Sequence, residues 1–526
     1  MQLYSTTYKN QFRIVSGTIT INNDDSILYC NTSAGAVTIN LIDIPTDYWS
    51  TQYKLYIADN SNNAGTNNIT INAPTGFTIN GSSSLTLNVN GESAIVRVSG
   101  NTTYITEISN SSSSATPFEG TNWSFVYGNG SHTANATQLQ SAYTTAKTET
   151  PNGSPLSATN RFTIIIGSGY YSFSSNFVMD AQFIDIVSLT GNADVIFSGT
   201  GTLSITASDV FVKGIDVTTK NLTLATNLGS LVMENCIGGD SSFAGGLACS
   251  GLFTNCTGGE SAFGGGVTGV ASGTFVNCTG GAKSFGGFGG EANGTFTNCV
   301  GGQYAFAGGG GNAIGTFTNC TGASYSFGGG GGGSASGTFT NCNGLNESFG
   351  GGSSGISSGT FIRCIGTSLA FGGDGTSSGI YSDCSGGDGS FGGGDNGGNV
   401  ASGTYDNCKG GADSFGGGDN FGGSASGTFN YCIGANGSFG GGDSGVASGT
   451  FFQCIAGDES FGNSVCSGDF NNCQGGSASF GNKTSGTPLL TGKLYYCRLT
   501  SGTFNTVSSG GRTVYCVDGN NNTNNQ

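Results

Sequence analysis

Fourteen cysteines, from Cys236 to Cys516, stand 19 to 24 residues apart in the second half of the chain. Regular thiols suggest metal ligation, disulfide bonding or nucleophilic catalysis. The zinc patterns are absent, because no Cys-x-x-Cys pair exists and His132 is the only histidine. The total of 17 cysteines is odd. If the spacing marks stacked coils, equivalent cysteines lie about 4.8 Å apart, the strand separation. That is within bridging distance, but identical side-chain directions on successive coils make pairing awkward. The spacing therefore predicts a buried ladder of thiols, with Cys acting as a small hydrophobe. Cys249 and Cys466 agree with this. Each stands seven residues before a ladder cysteine, where other repeats place Ala271, Ala401 or Ala447.

The carboxylates come next. Asp374, Asp395, Asp419 and Asp443 recur at one place in nearly successive repeats. Stacked at about 5 Å they would repel, so the stripe wants a cation or splayed loops. Ca²⁺ takes carboxylate and carbonyl oxygens, which makes calcium the cofactor to look for. Solvated turn aspartates are the other reading, because Gly-Asp-Asn and Gly-Asp-Ser are common turn chemistry. A second stripe holds Asp240, Glu260, Glu347, Asp388, Asp413, Asp458 and Glu459. Paired carboxylates hydrolyse glycans, and Asp458-Glu459 is the adjacent pair in the repeats, so these two are the weak catalytic candidates. Unequal offsets favour a soluble corner instead. Thr295, Thr297, Thr316, Thr318, Thr338 and Thr340 form a short outward ladder, which β-propensity explains. The Gly clusters at 308–311 and 328–333 are not phosphate loops, since no Gly-Lys-Ser/Thr follows. Phe288 and Phe421 lie inside such loops and are candidates for contact with a receptor.

Composition sets further bounds. The 526 residues include 99 Gly, 35 Phe and 19 Tyr, with net charge −16. Aromatic content this high argues against disorder. Residues 236–487 hold 15 acids against four bases and so carry −11. Nucleic-acid binding needs a basic stripe and is excluded. No apolar run approaches the roughly 18 residues of a membrane span. Nor does the N-terminus show the basic and apolar regions of a signal peptide, so folding in a cytoplasm is expected.

A period near 22 residues marks a solenoid. Relative to each cysteine, Phe stands three residues before (Phe275, Phe296, Phe317) and Asn one before (Asn277, Asn298, Asn319). A second Phe follows near the seventh residue after. Phe and Cys three apart cannot share one face of a flat strand. A bend at Asn resolves this, because Asn tolerates the left-handed conformation. The expected fold is all-β, a right-handed parallel β-helix with coils of about 22 residues. Inward columns are two Phe, one small residue and the cysteines, among them Cys256, Cys278, Cys299, Cys320 and Cys342. Stacked Asn amides should form a hydrogen-bonded ladder.

Upstream, residues 1–108 alternate apolar and polar residues in short runs, as in a small β-sandwich or barrel. Residues 109–129 read as a linker. In the segment 130–159, Leu139, Ala142, Tyr143 and Ala146 share one face of a predicted helix. Residues 160–235 carry irregular apolar strands, 236–487 the Gly-rich repeats, and 488–526 terminal coils with a polar tail.

Two stretches resemble a known family. The runs Ala36-Val-Thr-Ile-Asn-Leu, Asn68-Ile-Thr-Ile and Gly76-Phe-Thr-Ile-Asn-Gly resemble a β module of phage tail-fibre proteins. The helix followed by Gly167-Ser-Gly-Tyr-Tyr resembles the entry to the β-helix of tailspikes, where a helix plugs the open end. The resemblance implies a virion fibre or tailspike, trimer formation as in that family, attachment to other tail proteins through residues 1–108, and contact with a host glycan or protein. A glycan depolymerase of the tailspike type and a purely structural filament are the alternatives.

Overall fold

The computed structural model describes residues 11–22, 25–43, 54–61, 63–98, 102–109, 122–128, 130–218, 222–224, 229–244, 247–394, 399–418, 422–481, 489–504, 507 and 510–525. The chain divides into two compact units, Met1–Thr121 and Asn122–Gln526.

In the first unit the alternating runs form two sheets. Gln11–Val15, Asp25–Cys30 and Lys54–Asp59 pair in parallel, and Ser93–Val98 and Thr103–Ser109 extend them antiparallel. Thr18–Thr20, Val37–Asn40 and Ile69–Asn72 pair in parallel in the second sheet, which antiparallel Ser84–Leu87 completes. Leu28, Leu55 and Ile57 meet Val37, Ile39 and Ile71 in one core. Two layers match the expected sandwich, but the pairing does not. Successive runs alternate between the sheets, so this unit is itself a short solenoid with antiparallel edges. Alternation fixes which face of a strand is buried and leaves its partner open.

The second unit begins inside the stretch read as a linker. Trp123–Val126 pairs in parallel with Phe162–Ile166, which moves the boundary to residue 121. The helix His132–Ala146 follows, with Ser131 Oγ accepting the Ala134 N–H at 3.3 Å. Leu139, Tyr143 and Ala146 are buried, and Ala142 packs against the solenoid core. Buried Asn135 donates to the carbonyls of Gly128 (3.0 Å) and Tyr170 (2.9 Å) and accepts from the Gly130 N–H (2.9 Å). The helix thereby covers an end that would otherwise leave strand edges open.

From Trp123–Val126 to Arg512–Val514, 18 parallel strands form one continuous side of a parallel β-helix. A second side shortens along the chain. It has five-residue strands at Gly169–Phe173 and Val195–Gly199, then a single bridging residue per coil from Thr257 to Ile455. The third side is a three-stranded sheet followed by a 12-stranded one. One hydrophobic core runs from Val126 to Cys516.

The repeat interior is made of side-chain ladders. Phe275, Phe296, Phe317 and Phe339 stack at 4.8–5.0 Å with planes within 5°. Phe285, Phe306, Phe327 and Phe349 do the same at 4.8–4.9 Å. The two ladders meet edge to face at 5.5–5.8 Å, a favoured aromatic geometry. All 17 cysteines are free and buried. Their thiols point at carbonyls: Cys278 Sγ lies 3.4 Å from the Phe253 oxygen and 3.5 Å from the Val276 oxygen, and Cys299 and Cys320 repeat the pattern. Burial pushes the thiols of Cys249, Cys256, Cys432, Cys466 and Cys497 up. A protonated, enclosed thiol is inert.

Two corners bend each coil. Asn277, Asn298 and Asn319 have φ of 54–55°. Their amides form the expected ladder, Asn298 Nδ2 to Asn277 Oδ1 at 3.0 Å and Asn319 to Asn298 at 3.1 Å. At the second corner the surprise is Phe itself: Phe285, Phe306 and Phe327 have φ of 51–53°. The left-handed region costs an L-residue about 1–2 kcal/mol. Complete burial of the ring, worth about 1.5–3 kcal/mol, offsets it. The glycine two residues after nearly every repeat cysteine, replaced by Ala456 in the Cys454 coil, makes room for that ring. A Cβ on Gly280 would lie 2.8 Å from Phe285 Cε2.

The exceptions follow the same physics. Tyr381 and Tyr405 replace Phe in the first ladder and are fully buried. Each hydroxyl needs a partner. Ser357 and Ser377 stand where other coils have Ala, one coil upstream of each tyrosine. Tyr381 donates to the Ser357 carbonyl at 2.7 Å and lies 2.8 Å from its Oγ, and Tyr405 relates to Ser377 at the same distances.

Candidate functional site: a tyrosine and arginine cleft at the last coils

The corner column, already varied at Arg363, Asp383, Tyr431 and Gln453, ends in two tyrosines at the C-terminal end of the solenoid. Asn472 is followed, one and two coils on, by Tyr496 and Tyr515. The backbone keeps its bend, with φ of 56°, 55° and 53°. Tyrosine cannot join an amide ladder, so the rings project. They are 58% and 59% exposed and stack at 5.5 Å. The column just after each cysteine runs Ile455, Gln474, Arg498 and Val517, with Arg498 in register with both Gln474 and Val517.

Between these columns lies a cleft of ≈ 590 Å³ walled by Gln453, Asn472, Gln474, Tyr496, Arg498 and Asn521, with Ile455 and Val517 as apolar floor. Among the described residues no Asp or Glu lines it. Asn521 is placed by the tail, which folds back: Thr523–Asn524 pairs antiparallel with Cys516–Val517. Asp518 Oδ1 accepts the Asn520 and Asn522 N–H groups at 2.9 and 2.8 Å. Those bonds, the Asn522 N–H first, hold the Asp518 carboxyl below its ordinary range.

Charge singles out the same end. Residues 488–526 contain Lys493, Arg498 and Arg512 against Asp518, a net of +2, beside repeats that carry −11. Lys493 and Arg512 are register partners on adjacent strands. Like charges placed opposite one another are destabilising, and Asp469 reaches Lys493 only at 3.8 Å. An anion would relieve the pair. The arrangement offers a stacking face, a guanidinium suited to carboxylate or phosphate, and amides able to donate and accept. A preformed concave volume of this size suits a small ligand or a segment of a polymer.

The carboxylates singled out from sequence sit elsewhere. Asp458 Oδ1 accepts the Ser477 N–H of the next coil at 2.6 Å. Asp240 and Asp388 do the same for Glu260 and Ala412, each at 2.8 Å. These three carboxylates therefore bracket backbone that the strands leave unpaired. Glu459 occupies the left-handed position beside Asp458, at φ 56°, and its N–H bonds the Ser477 carbonyl at 2.8 Å. Asp374 leans over Gly394 of the next coil, where a Cβ would stand 2.1 Å from its Oδ1. Asp443 is exposed. Asp395, Asp419 and Phe421 lie outside the described residues. Among the described residues no group of three or more His, Cys, Asp or Glu is placed to hold a metal ion. Phe288 is 42% exposed and meets Tyr304 edge-on at 5.4 Å. The cleft residues were missed from sequence. Their signal was the replacement of Asn by Tyr at an aligned corner position.

No protein-family model matches the chain, and no curated protein matches it. Among solved structures, a variant of the catalytic domain of GH87 alpha-1,3-glucanase in complex with nigerose is similar over 79% of this chain and 72% of that one, at 11% identity and a TM-score of 0.22. The same catalytic domain without that substitution is similar over 87% and 79%, at 11% identity and a TM-score of 0.23. Likeness at this level carries no argument about the chemistry of this chain.

Proposed function

We propose that this chain is a rigid solenoid that engages an anionic polysaccharide through the cleft at its last coils. The observation that carries the reading is the coincidence of Tyr496, Arg498 and the amides of Asn472 and Gln474 in one concavity, at the positively charged end of an acidic rod. The tyrosine stacks on a pyranose face, Arg498 pairs with a carboxylate or phosphate, and the amides hold hydroxyls. A binding role is favoured over cleavage because the cleft wall supplies no carboxylate for general acid or base work. The resemblance in residues 15–108 and 130–171 extends the proposal to its setting. The protein is a virion fibre, trimeric, whose residues 1–108 attach to other tail proteins and whose β-helix meets the glycan of a host surface. The depolymerase alternative shares the ligand and differs in the outcome.

Both readings are separated by one assay on the full chain. Polygalacturonate is the probe, in low and high salt. Expected are retention that weakens as salt rises, as exposed ion pairs do, and no new reducing ends or unsaturated ends on long incubation. Product release would move the function to the depolymerase. Absence of retention would remove the cleft as a binding site.

A further inference from the structure

A second surface has the marks of a ligand platform, five or more coils away from the cleft. The residue two before the second-corner Phe takes the left-handed conformation in coil after coil: Lys283, Tyr304, Tyr325 and Glu347 have φ of 55°, 58°, 62° and 52°. That conformation aims the side chain outward, and consecutive backbones lock the column, Tyr304 N–H to the Ser324 carbonyl at 3.1 Å and Tyr325 N–H to the Asn346 carbonyl at 2.9 Å. Tyr304 and Tyr325 stack at 5.0 Å with planes 14° apart. Phe288 meets the edge of Tyr304 and extends the apolar strip. The seat of Phe288 exists because residue 309 is Gly. A Cβ there would come within 2.2 Å of the ring. Beside the strip, Gly331 and Gly332 have open space where a side chain would be. The Lys283–Glu260 ion pair, 2.8 Å, bounds it beyond Tyr304, and the Glu347 carboxylate bounds it beside Tyr325. Glu347 also pushes the Tyr325 hydroxyl pKa up, so this phenol stays a donor.

We infer that the Phe288–Tyr304–Tyr325 strip, closed by Glu260 and Glu347, is a binding subsite for a neutral pyranose chain. The overlapping rings supply a stepped apolar strip two coils long, against which the C–H groups of a sugar can pack. The flanking carboxylates accept hydroxyl hydrogen bonds and, in an acidic stretch of the rod, disfavour an anionic glycan. The flank and the terminal cleft thus select different sugars. This subsite does not depend on the cleft reading, and the variants below tell the two apart.

The test uses the full chain in affinity electrophoresis through gels containing dextran, laminarin or galactomannan. Tyr304→Asn/Tyr325→Asn keeps the left-handed backbone, since Asn tolerates it, and an unchanged melting temperature checks the fold. The native chain should be retarded in at least one gel, and the double variant should bind at least tenfold more weakly. Tyr496→Asn/Arg498→Ala should keep the retardation while losing polygalacturonate. Migration unaffected by every neutral polysaccharide would overturn the inference. So would equal retardation of the double variant.

Discussion

The aliphatic coils of residues 160–235 and the repeats of 236–487 share one backbone plan but fill it in opposite ways. The earlier coils use strands of three to five residues on three sides. Their aromatic contacts are irregular, Phe173 to Phe197 at 65° and Tyr171 to Phe197 at 54°. In the repeats the strands shrink to two or three residues and one side to a single bridge per coil. Identical side chains stacked on identical side chains take over the role of the lost backbone pairing. Each repeat then presents the same surface up and down, so any coil can dock on any other, as nearest-neighbour solenoids require. Each aliphatic coil fits only its own neighbours.

The comparison breaks most severely under deletion. Removing residues 279–299 joins Cys278 to Val300 and restores every column. The shortened chain should fold, with an unchanged circular dichroism spectrum per residue. Removing 187–212, one aliphatic coil by the pairing of Ile186 with Val212, should leave insoluble or unfolded protein. Equal tolerance of both deletions would end the distinction.

Single substitutions come next. Phe317 touches Phe296 and Phe339 by stacking and Phe306 and Phe327 by edges. Phe317→Ala should cost about 3–5 kcal/mol in urea unfolding, against about 0.5–1.5 kcal/mol for Ile205→Val among the aliphatic coils. Asn298→Ala removes two amide bonds and leaves Ala in the left-handed region. A loss of about 1–3 kcal/mol is expected, with Asn298→Gly milder because Gly adopts that conformation freely.

The smallest effect is one of pH. The raised thiols of Cys249, Cys256, Cys432, Cys466 and Cys497 stay protonated in the fold, whereas unfolded thiols ionise near pH 8.5. Their contribution is therefore complete below about pH 8.5 and declines above it. No cysteine lies in residues 160–235. Hydrogen exchange should show the repeats loosening between pH 8.5 and 10 while the aliphatic coils hold.

What sequence could reveal tracks repetition. The Cys, Asn and Phe columns were legible because each was written eight or more times and each obeyed a steric requirement. The left-handed Phe corner was not, because Phe carries no preference for that conformation and only the close packing around it imposes one. The Ser357–Tyr381 pairing needed two columns to be aligned a coil apart. Pairing in the first unit was hidden because alternation says which face is inside and nothing about the neighbour. Asp240, Asp388 and Asp458 looked chemical because carboxylates on a surface can be either reagents or hydrogen-bond brackets. Only the unpaired N–H across from each decides. Tyr496 and Tyr515 drew no reading from sequence, because a single change of residue type in a column says nothing of the concavity beside it.

The account separates an interior that holds the rod from a corner that binds. One measurement confronts it directly: the affinity for polygalacturonate of the native chain, of the protein lacking 279–299, and of Tyr496→Asn/Arg498→Ala. The coil deletion should bind as the native chain does, and the double substitution should lose at least tenfold with its melting temperature intact. Loss of binding in the deletion, or full binding by the double variant, would contradict the assignment of function to the terminal cleft.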